Sequence, residues 1–387
     1  MKRKSLVSKS LATVTALMMA MSCMAGCGST ETNSEATATP EATENTAESD
    51  ATATPEATED AKEDDGEDSG NYADTITLVW YPNESADNFT TSRDEVGRLI
   101  EEATGKKVEQ KLTTDYTIAI EAISSGSAQI GCVFGAEGYI QAKNKNDAVH
   151  PIFVNSGESG TLDDAMYYSF LAVNEEDAEN YKDGESYKID NIVGKKMSFV
   201  SNSSTSGFKV PTNIITSYFT QTSEWASLTV DDLLEGGDDA FFSEVLFGGS
   251  HQGSAYNLIS GKADVAAFCD TEIAPYATCV EGEENTVGAV YEINADAEAP
   301  FNTVAGERFT LIYSDPVMNG PFVYNAETLS PEDVEAIQNV FTSDEVTSNK
   351  KIYYGEDEEA TGLYKRKADE KFVLVDDSWY DPIRNMQ

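Results

Sequence analysis

Residues 75–387 predict an α/β fold with a largely parallel sheet. Three observations carry this. Short apolar stretches alternate with helical periodicity from 75 to 134, which is the pattern of repeated strand–helix units. The helical stretches close on Gly105 and Gly126, where a residue free of Cβ suits the helix end. An extended run at 196–200 then breaks into the turn Ser203-Ser204-Thr205-Ser206-Gly207-Phe208, ahead of a helix starting near Pro211. Ligands of such sheets sit beyond the carboxyl ends of the strands. The turns at Tyr81, Asp115–Tyr116, Gly135–Tyr139 and Ser203–Ser206 are therefore the places to look.

The chain before residue 75 has a different character. Lys2, Arg3, Lys4 and Lys9 form a basic start, and 11–21 is a short apolar stretch. It is too short to span a bilayer and reads as a signal peptide over 1–26. The small residues Ala25 and Gly26 before Cys27 resemble a lipobox, so acylation of Cys27 is expected, with Cys23 a weaker second site. That would anchor the protein to a membrane by lipid alone. Residues 27–74 carry the acylated Cys and then an acidic Thr/Ala/Pro-rich segment, in which ATATPEATE occurs at 36–44 and again at 51–59. So little apolar surface cannot support a core, and the segment reads as a disordered spacer.

The elements follow in order. Residues 75–80 form a strand ending at Tyr81-Pro82-Asn83-Glu84. In 93–104, Val96, Leu99, Ile100 and Ala103 recur at helical spacing. Residues 107–112 alternate as a strand, 116–124 are helical, and 128–134 form a third strand. Residues 168–174 form an apolar strand, and 189–200 lead into the Ser/Thr turn. Residues 248–251 open a helix that ends at Gly261, and 263–268 form a strand after it. Residues 309–314 return the chain, and 331–341 form a late helix.

Composition narrows the chemistry. The net charge is −43, of which the segment 28–74 holds −14 and the signal region +4, leaving −33 on the folded part. Nucleic acid and anionic lipid surfaces are poor partners for it. Only His150 and His251 are present, and no Cys-x-x-Cys occurs, so no metal or redox cofactor is expected. Cys269 and Cys279 are able to pair outside the cell, leaving Cys132 as a buried strand residue. The turn at Ser203–Gly207 has hydroxyls and helix-start N–H groups, which together suit a small oxyanion. The Gly-x-x-x-x-Gly-Lys pattern of nucleotide hydrolases is absent.

Asp115-Tyr116, Ser125-Gly126, the turn 135–139, Ser203 to Pro211, Gly249-Ser250-His251 and 261–266 (GKADVA) recur here in a telling order. In order and spacing they resemble the phosphate/phosphite/phosphonate-binding proteins of ABC importers, over roughly residues 75–345. The resemblance implies a two-lobed type II periplasmic-binding-protein fold, with the ligand in the cleft. It implies an oxyanion head held by Ser204, Thr205, Ser206, Tyr116, Tyr139 and His251. Acids hold the amine of aminoalkylphosphonates in the family, but the nearest matching position here is Gly320, beside Asn319. Asp270, Glu272 and Asn319 are the remaining tail-binding candidates. Lobe one is expected over 75–171 with 313–387, and lobe two over 172–312. The expected partner is an ABC permease, on the extracellular or periplasmic face of the cell membrane, with the protein a monomer. A sensor or surface lipoprotein is the alternative. A cleft enzyme is disfavoured, because Ser206 has no base beyond His251 and no His/Asp cluster exists.

Overall fold

The structure, a computed structural model, describes residues 72–82, 90–355 and 362–386. The signal segment, Cys27, the spacer up to residue 71, and Asn83-Glu84 lie outside the described residues.

The chain runs β1 (Thr75–Trp80), α1 (Thr90–Thr104), β2 (Lys107–Leu112), α2 (Tyr116–Ser124), β3 (Ile130–Cys132), α3 (Ala136–Lys145) and β4 (Val149–Asn155). It continues through β5 (Met166–Asn174) to a small hairpin, β6 (Lys182–Asp183) and β7 (Ser186–Tyr187). Then come β8 (Lys196–Phe199), α4 (Val210–Phe219), β9 (Glu244–Phe247), α5 (His251–Ile259), β10 (Val265–Cys269) and α6 (Asp270–Ile273). Strands β11 (Ala277–Glu281), β12 (Val290–Ile293) and β13 (Arg308–Met318) follow. The last part is β14 (Phe322–Asn325), α7 (Pro331–Phe341), α8 (Asp344–Thr347), β15 (Tyr353–Gly355), β16 (Tyr364–Arg366), β17 (Phe372–Leu374) and α9 (Asp381–Arg384).

Two large sheets result. One has the order β17-β4-β14-β3-β1-β2, the other β11-β12-β13-β5-β10-β8-β9. Each has a parallel part built by strand–helix units: β2-β1-β3 in the first, β10-β8-β9 in the second. Each is completed by antiparallel strands. The first sheet takes strands from 75–155 and 322–374, the second from 166–318. β5 and β13 pair antiparallel from Asn174↔Phe309 to Met166↔Met318, so both lie wholly in the second sheet and extend past the expected boundaries at 171 and 313.

Three local outcomes differ from the sequence expectation. The third strand is shorter, because Val133 turns to the left-handed region at φ 53 and leaves the pleat. The residues at 135–139, expected as a turn, open α3: Gly135 is an extended N-cap, and Ala136, Tyr139, Ile140 and Ala142 are buried at helical spacing. The return strand runs on to Met318 through Pro316; β12 pairs only with Arg308–Thr310, so this end is an edge and tolerates proline. Cys269 and Cys279 are unpaired: the Cys269 sulfur lies by Thr271 Oγ1, and Cys279 by the Glu281 carbonyl. Among the described residues no helix is long and apolar enough to cross a membrane.

Candidate functional site

A cavity of about 210 Å³ is lined by residues from both sheets. Four of its wall segments sit at helix starts. Asp115 caps α2, its carboxylate accepting from Thr117 N at 2.7 Å, which sets Tyr116 at the first turn. Ser250 caps α5 by accepting from Gly253 N at 3.0 Å, which sets His251 at the first position. Ser204 caps a single π-turn, Thr205–Lys209, that runs into α4; its Oγ accepts from Gly207 N at 3.1 Å. α3 has no side-chain cap of its own. Its Glu137 N–H donates instead to Thr205 Oγ1 at 2.9 Å, so a hydroxyl of the second sheet caps a helix of the first. Ser203 Oγ adds a 2.9 Å bond to Gln141 Oε1, and Lys209 Nζ a 2.8 Å bond to the Met386 carbonyl.

Two glycines permit these approaches. A Cβ at Gly207 would fall 2.2 Å from Val200 Cγ2, and one at Gly135 would fall 2.8 Å from Thr205 Oγ1. Gly320 is equally constrained: a Cβ there would lie 1.9 Å from the Phe134 carbonyl, so no acidic side chain fits at that position.

The donor set suits an anion. Ser204, Thr205, Ser206 and His251 are each 5 % exposed or less. His251 Nε2 faces Ser204 Oγ at 3.5 Å, while its buried Nδ1 has no partner. Burial alone lowers the imidazole to about 3, so the ring is neutral. Ser204 Oγ already accepts from Gly207, so its proton is directed at Nε2; the tautomer that satisfies it carries the ring proton on Nδ1, ready to donate. Tyr116 and Tyr81 rings meet at 4.7 Å, and Tyr81 stacks on Phe134 at 4.2 Å. Burial, then Glu272, raises the Tyr116 hydroxyl; burial, then Glu137, raises that of Tyr81, so both remain O–H donors. The Tyr81 oxygen is buried without a partner. A pocket of donors under helix N-termini suits an anion, and Arg93 adds a full positive charge to the lining.

Of the residues singled out from the sequence, Tyr116, Ser204, Thr205, Ser206, His251, Glu272 and Asn319 line the cavity. Tyr139 and Asp270 do not. Tyr139 is fully buried in the core, where its hydroxyl donates to Asp377 Oδ1 and its ring meets Tyr380 at 5.3 Å. Being helical rather than part of a turn, it points into the sheet–helix packing. The Asp270 carboxylate accepts from Tyr168 N at 2.8 Å and Asn285 Nδ2 at 3.2 Å, and so ties α6 to β5. Sequence reasoning missed Trp80, Arg93, Val133, Asn155, Tyr167, Leu363 and Tyr364. Tyr81 stood at a flagged strand exit without being chosen. Val133 carried a signal only in its backbone: it is a β-branched residue in the left-handed region, a conformation that costs about 1–3 kcal/mol. Among the described residues no cluster could hold a metal ion.

Two sheets linked by the chain between β4 and β5 and between β13 and β14, with a cavity lined by both, fit a solute-binding protein of the two-lobed periplasmic class. Residues 78–380 match the family model described as ABC transporter, phosphonate, periplasmic substrate-binding protein, and the chain belongs to that family. It is 25% identical over 321 residues to the phosphate-import protein PhnD of Mycolicibacterium smegmatis, covering 81% of this chain and 85% of the relative. The fold is similar to that of PhnD1 from Prochlorococcus marinus in complex with methylphosphonate, with TM-score 0.56, 14% identity, and 81% and 97% of the two chains covered. It is also similar to a binding-protein component of an ABC phosphonate transporter from Pseudomonas aeruginosa, with TM-score 0.54, 17% identity, and 81% and 85% covered.

Proposed function

We propose that this chain captures a small phosphorus oxyanion (phosphonate, phosphite or phosphate) outside the cytoplasm and delivers it to an ABC permease. The observation that carries this reading is that the Ser204–Ser206 turn, Tyr116 and His251, whose buried Nδ1 has no partner, line one cavity. Relatives named for phosphate import and solved with methylphosphonate support it. The lobes are 75–171 with 313–387, and 172–312, with β5 and β13, which run across those bounds, as the hinge between them. Closure is stabilised by groups that touch both sides, Thr205 first among them. Lipid on Cys27 anchors the protein, the acidic spacer lifts it from the membrane, and it works as a monomer. It performs no chemistry on its ligand.

Titration calorimetry of the full chain with phosphate, phosphite, methylphosphonate and 2-aminoethylphosphonate tests the reading. Saturable binding of at least one is expected, and heat from none would refute it. Phosphate release from a simple ester would refute the non-enzymatic role. Mass spectrometry showing an unmodified mature N-terminus would refute the anchor.

A further inference from the structure

The cavity is lined by two charged side chains of opposite sign, Arg93 from α1 and Glu272 from α6. Around the Ser/Thr turn the other polar groups are donors. Thr205 Oγ1 already accepts from Glu137 N, so its own proton is left for another partner. Tyr116 and Tyr81 keep their hydroxyl protons, and His251 offers Nδ1–H. Arg93 also only donates. Such donors match an ionised oxyanion whether its centre is phosphorus or sulfur. Glu272 differs, being the one carboxylate among the described lining residues, and a carboxylate only accepts.

Glu272 stands at the anion end of the cavity. It is half-buried, and Gln252, which follows His251 on α5, brings Nε2 to 3.5 Å from its Oε2. The Tyr116 hydroxyl is raised first by burial and next by Glu272. Glu272 adds to burial in the same sense at Cys269 on β10, Tyr167 on β5 and Tyr364 on β16. The neighbouring acid, Asp270, is turned away to Tyr168 N and Asn285.

A carboxylate beside a bound anion repels it unless the ligand brings a proton to share. Phosphorus oxyanions do so, because their second ionisation falls close to neutral pH. The O–H that remains donates to the carboxylate, and repulsion becomes a charge-assisted hydrogen bond. Sulfate and sulfonates hold no proton at that pH and would set an ionised oxygen against Glu272.

We propose, resting on the oxyanion reading above, that Glu272 accepts the proton of a partly protonated phosphorus oxyanion and thereby excludes sulfur oxyanions of the same shape. Glu272 is then a specificity residue for the head of the ligand, acting opposite the donors of the turn.

The test is calorimetry on the full chain at pH 7 and pH 9, for the natural sequence and Glu272→Gln, with phosphate, methylphosphonate, 2-aminoethylphosphonate, sulfate and methanesulfonate. In that window the groups facing Glu272 keep their state. His251 sits at about 3 and Asp270 at about 6, while Tyr116, Tyr167, Tyr364 and Cys269 are all raised by burial, and Arg93 stays charged.

The natural sequence should bind sulfate and methanesulfonate at least about a thousandfold more weakly than their phosphorus counterparts, the scale on which a site built for a ligand O–H rejects its absence. From pH 7 to 9 methylphosphonate should weaken about tenfold as its last proton leaves, whereas phosphate keeps an O–H and should hold. Glu272→Gln can donate as well as accept. It should gain at least about tenfold for both sulfur ligands and lose the pH dependence with methylphosphonate. If Glu272→Gln does not fold, Glu272→Ala replaces it with the same expected gain. Equal binding of sulfate and phosphate by the natural sequence would overturn the inference, as would undiminished rejection of sulfate by the variant. A loss confined to 2-aminoethylphosphonate would assign Glu272 to an amine and overturn it too. If no phosphorus ligand binds the folded natural chain, the oxyanion reading itself falls.

Discussion

Ser204, Thr205 and Ser206 reach the cavity from one turn, whereas Trp80, Val133, Leu363 and Tyr364 reach it from three stretches far apart in the chain. The first region is local chemistry: a capping hydroxyl, a close-packed glycine and a helix start, all within a few residues. The second is tertiary packing, in which β1 and the exit of β3, from the first sheet, meet the start of β16, from a separate two-stranded sheet, through a shared hydrophobic core. The anion end should accordingly fail sharply when one turn residue changes. The wall of Trp80, Val133, Leu363 and Tyr364 should yield more gradually, since no one of these residues shapes it alone.

The largest effect is expected at Gly207. A valine there drives carbon into Val200, which stands 2.2 Å from the new Cβ. Overpacking of this kind costs about 1–3 kcal/mol of stability and displaces the N–H groups that the anion uses. Binding should fall below detection while the fold survives in circular dichroism. Full affinity would show that the turn does not aim the donors.

Thr205→Ala comes next. It removes a hydroxyl from the cavity and uncaps α3 at Glu137 N. A hydrogen bond to a charged group is worth about 1.5–3 kcal/mol, so affinity should drop roughly tenfold to a hundredfold. Thr205→Ser should restore most of it. A serine variant as weak as the alanine would point to packing by the methyl group instead.

His251 supplies a pH test. Its ring sits at about 3 in the folded chain, against an ordinary value near 6.5. Below pH 6.5 the unfolded chain takes up a proton there that the folded chain refuses, so stability falls as pH drops toward 3. Asp270 has the opposite slope: burial lifts it to about 6, so its contribution is present at low pH and is lost between 3.8 and 6. Denaturant melts should show His251→Gln losing less stability than the natural sequence between pH 6.5 and 4. Equal losses would mean that the ring is solvated and charged.

The smallest effect on binding belongs to Tyr139→Phe. It removes the bond to Asp377, costing about 1 kcal/mol of stability, and touches nothing in the cavity. Calorimetry should find unchanged affinity; a tenfold loss would return Tyr139 to the site.

The same contrast explains what could be read from the sequence. Strand–helix alternation, the capped turn and the His at a helix start are local patterns, and β2, α2 and α7 lie at the residues expected for them. Tyr139 misled because the spacing 135–139 suits a turn as well as a helix N-terminus, and only the burial of Ala136, Ile140 and Ala142 decides between them. Asp270 misled because the end of a strand does not reveal which way a carboxylate points; here it points to Tyr168. Leu363 and Tyr364 had no local signal at all. Their place follows from a sheet edge and an aromatic cluster assembled from residues 80 to 372.

The central claim is that one turn and one neutral imidazole hold a phosphorus oxyanion. Paired calorimetric titrations of methylphosphonate and phosphate into the natural chain, Thr205→Ala and His251→Ala test it most directly. The account predicts at least tenfold weaker binding in both variants, about 1.4 kcal/mol or more, with melting curves that remain cooperative. Undiminished affinity for both ligands in both variants would contradict it.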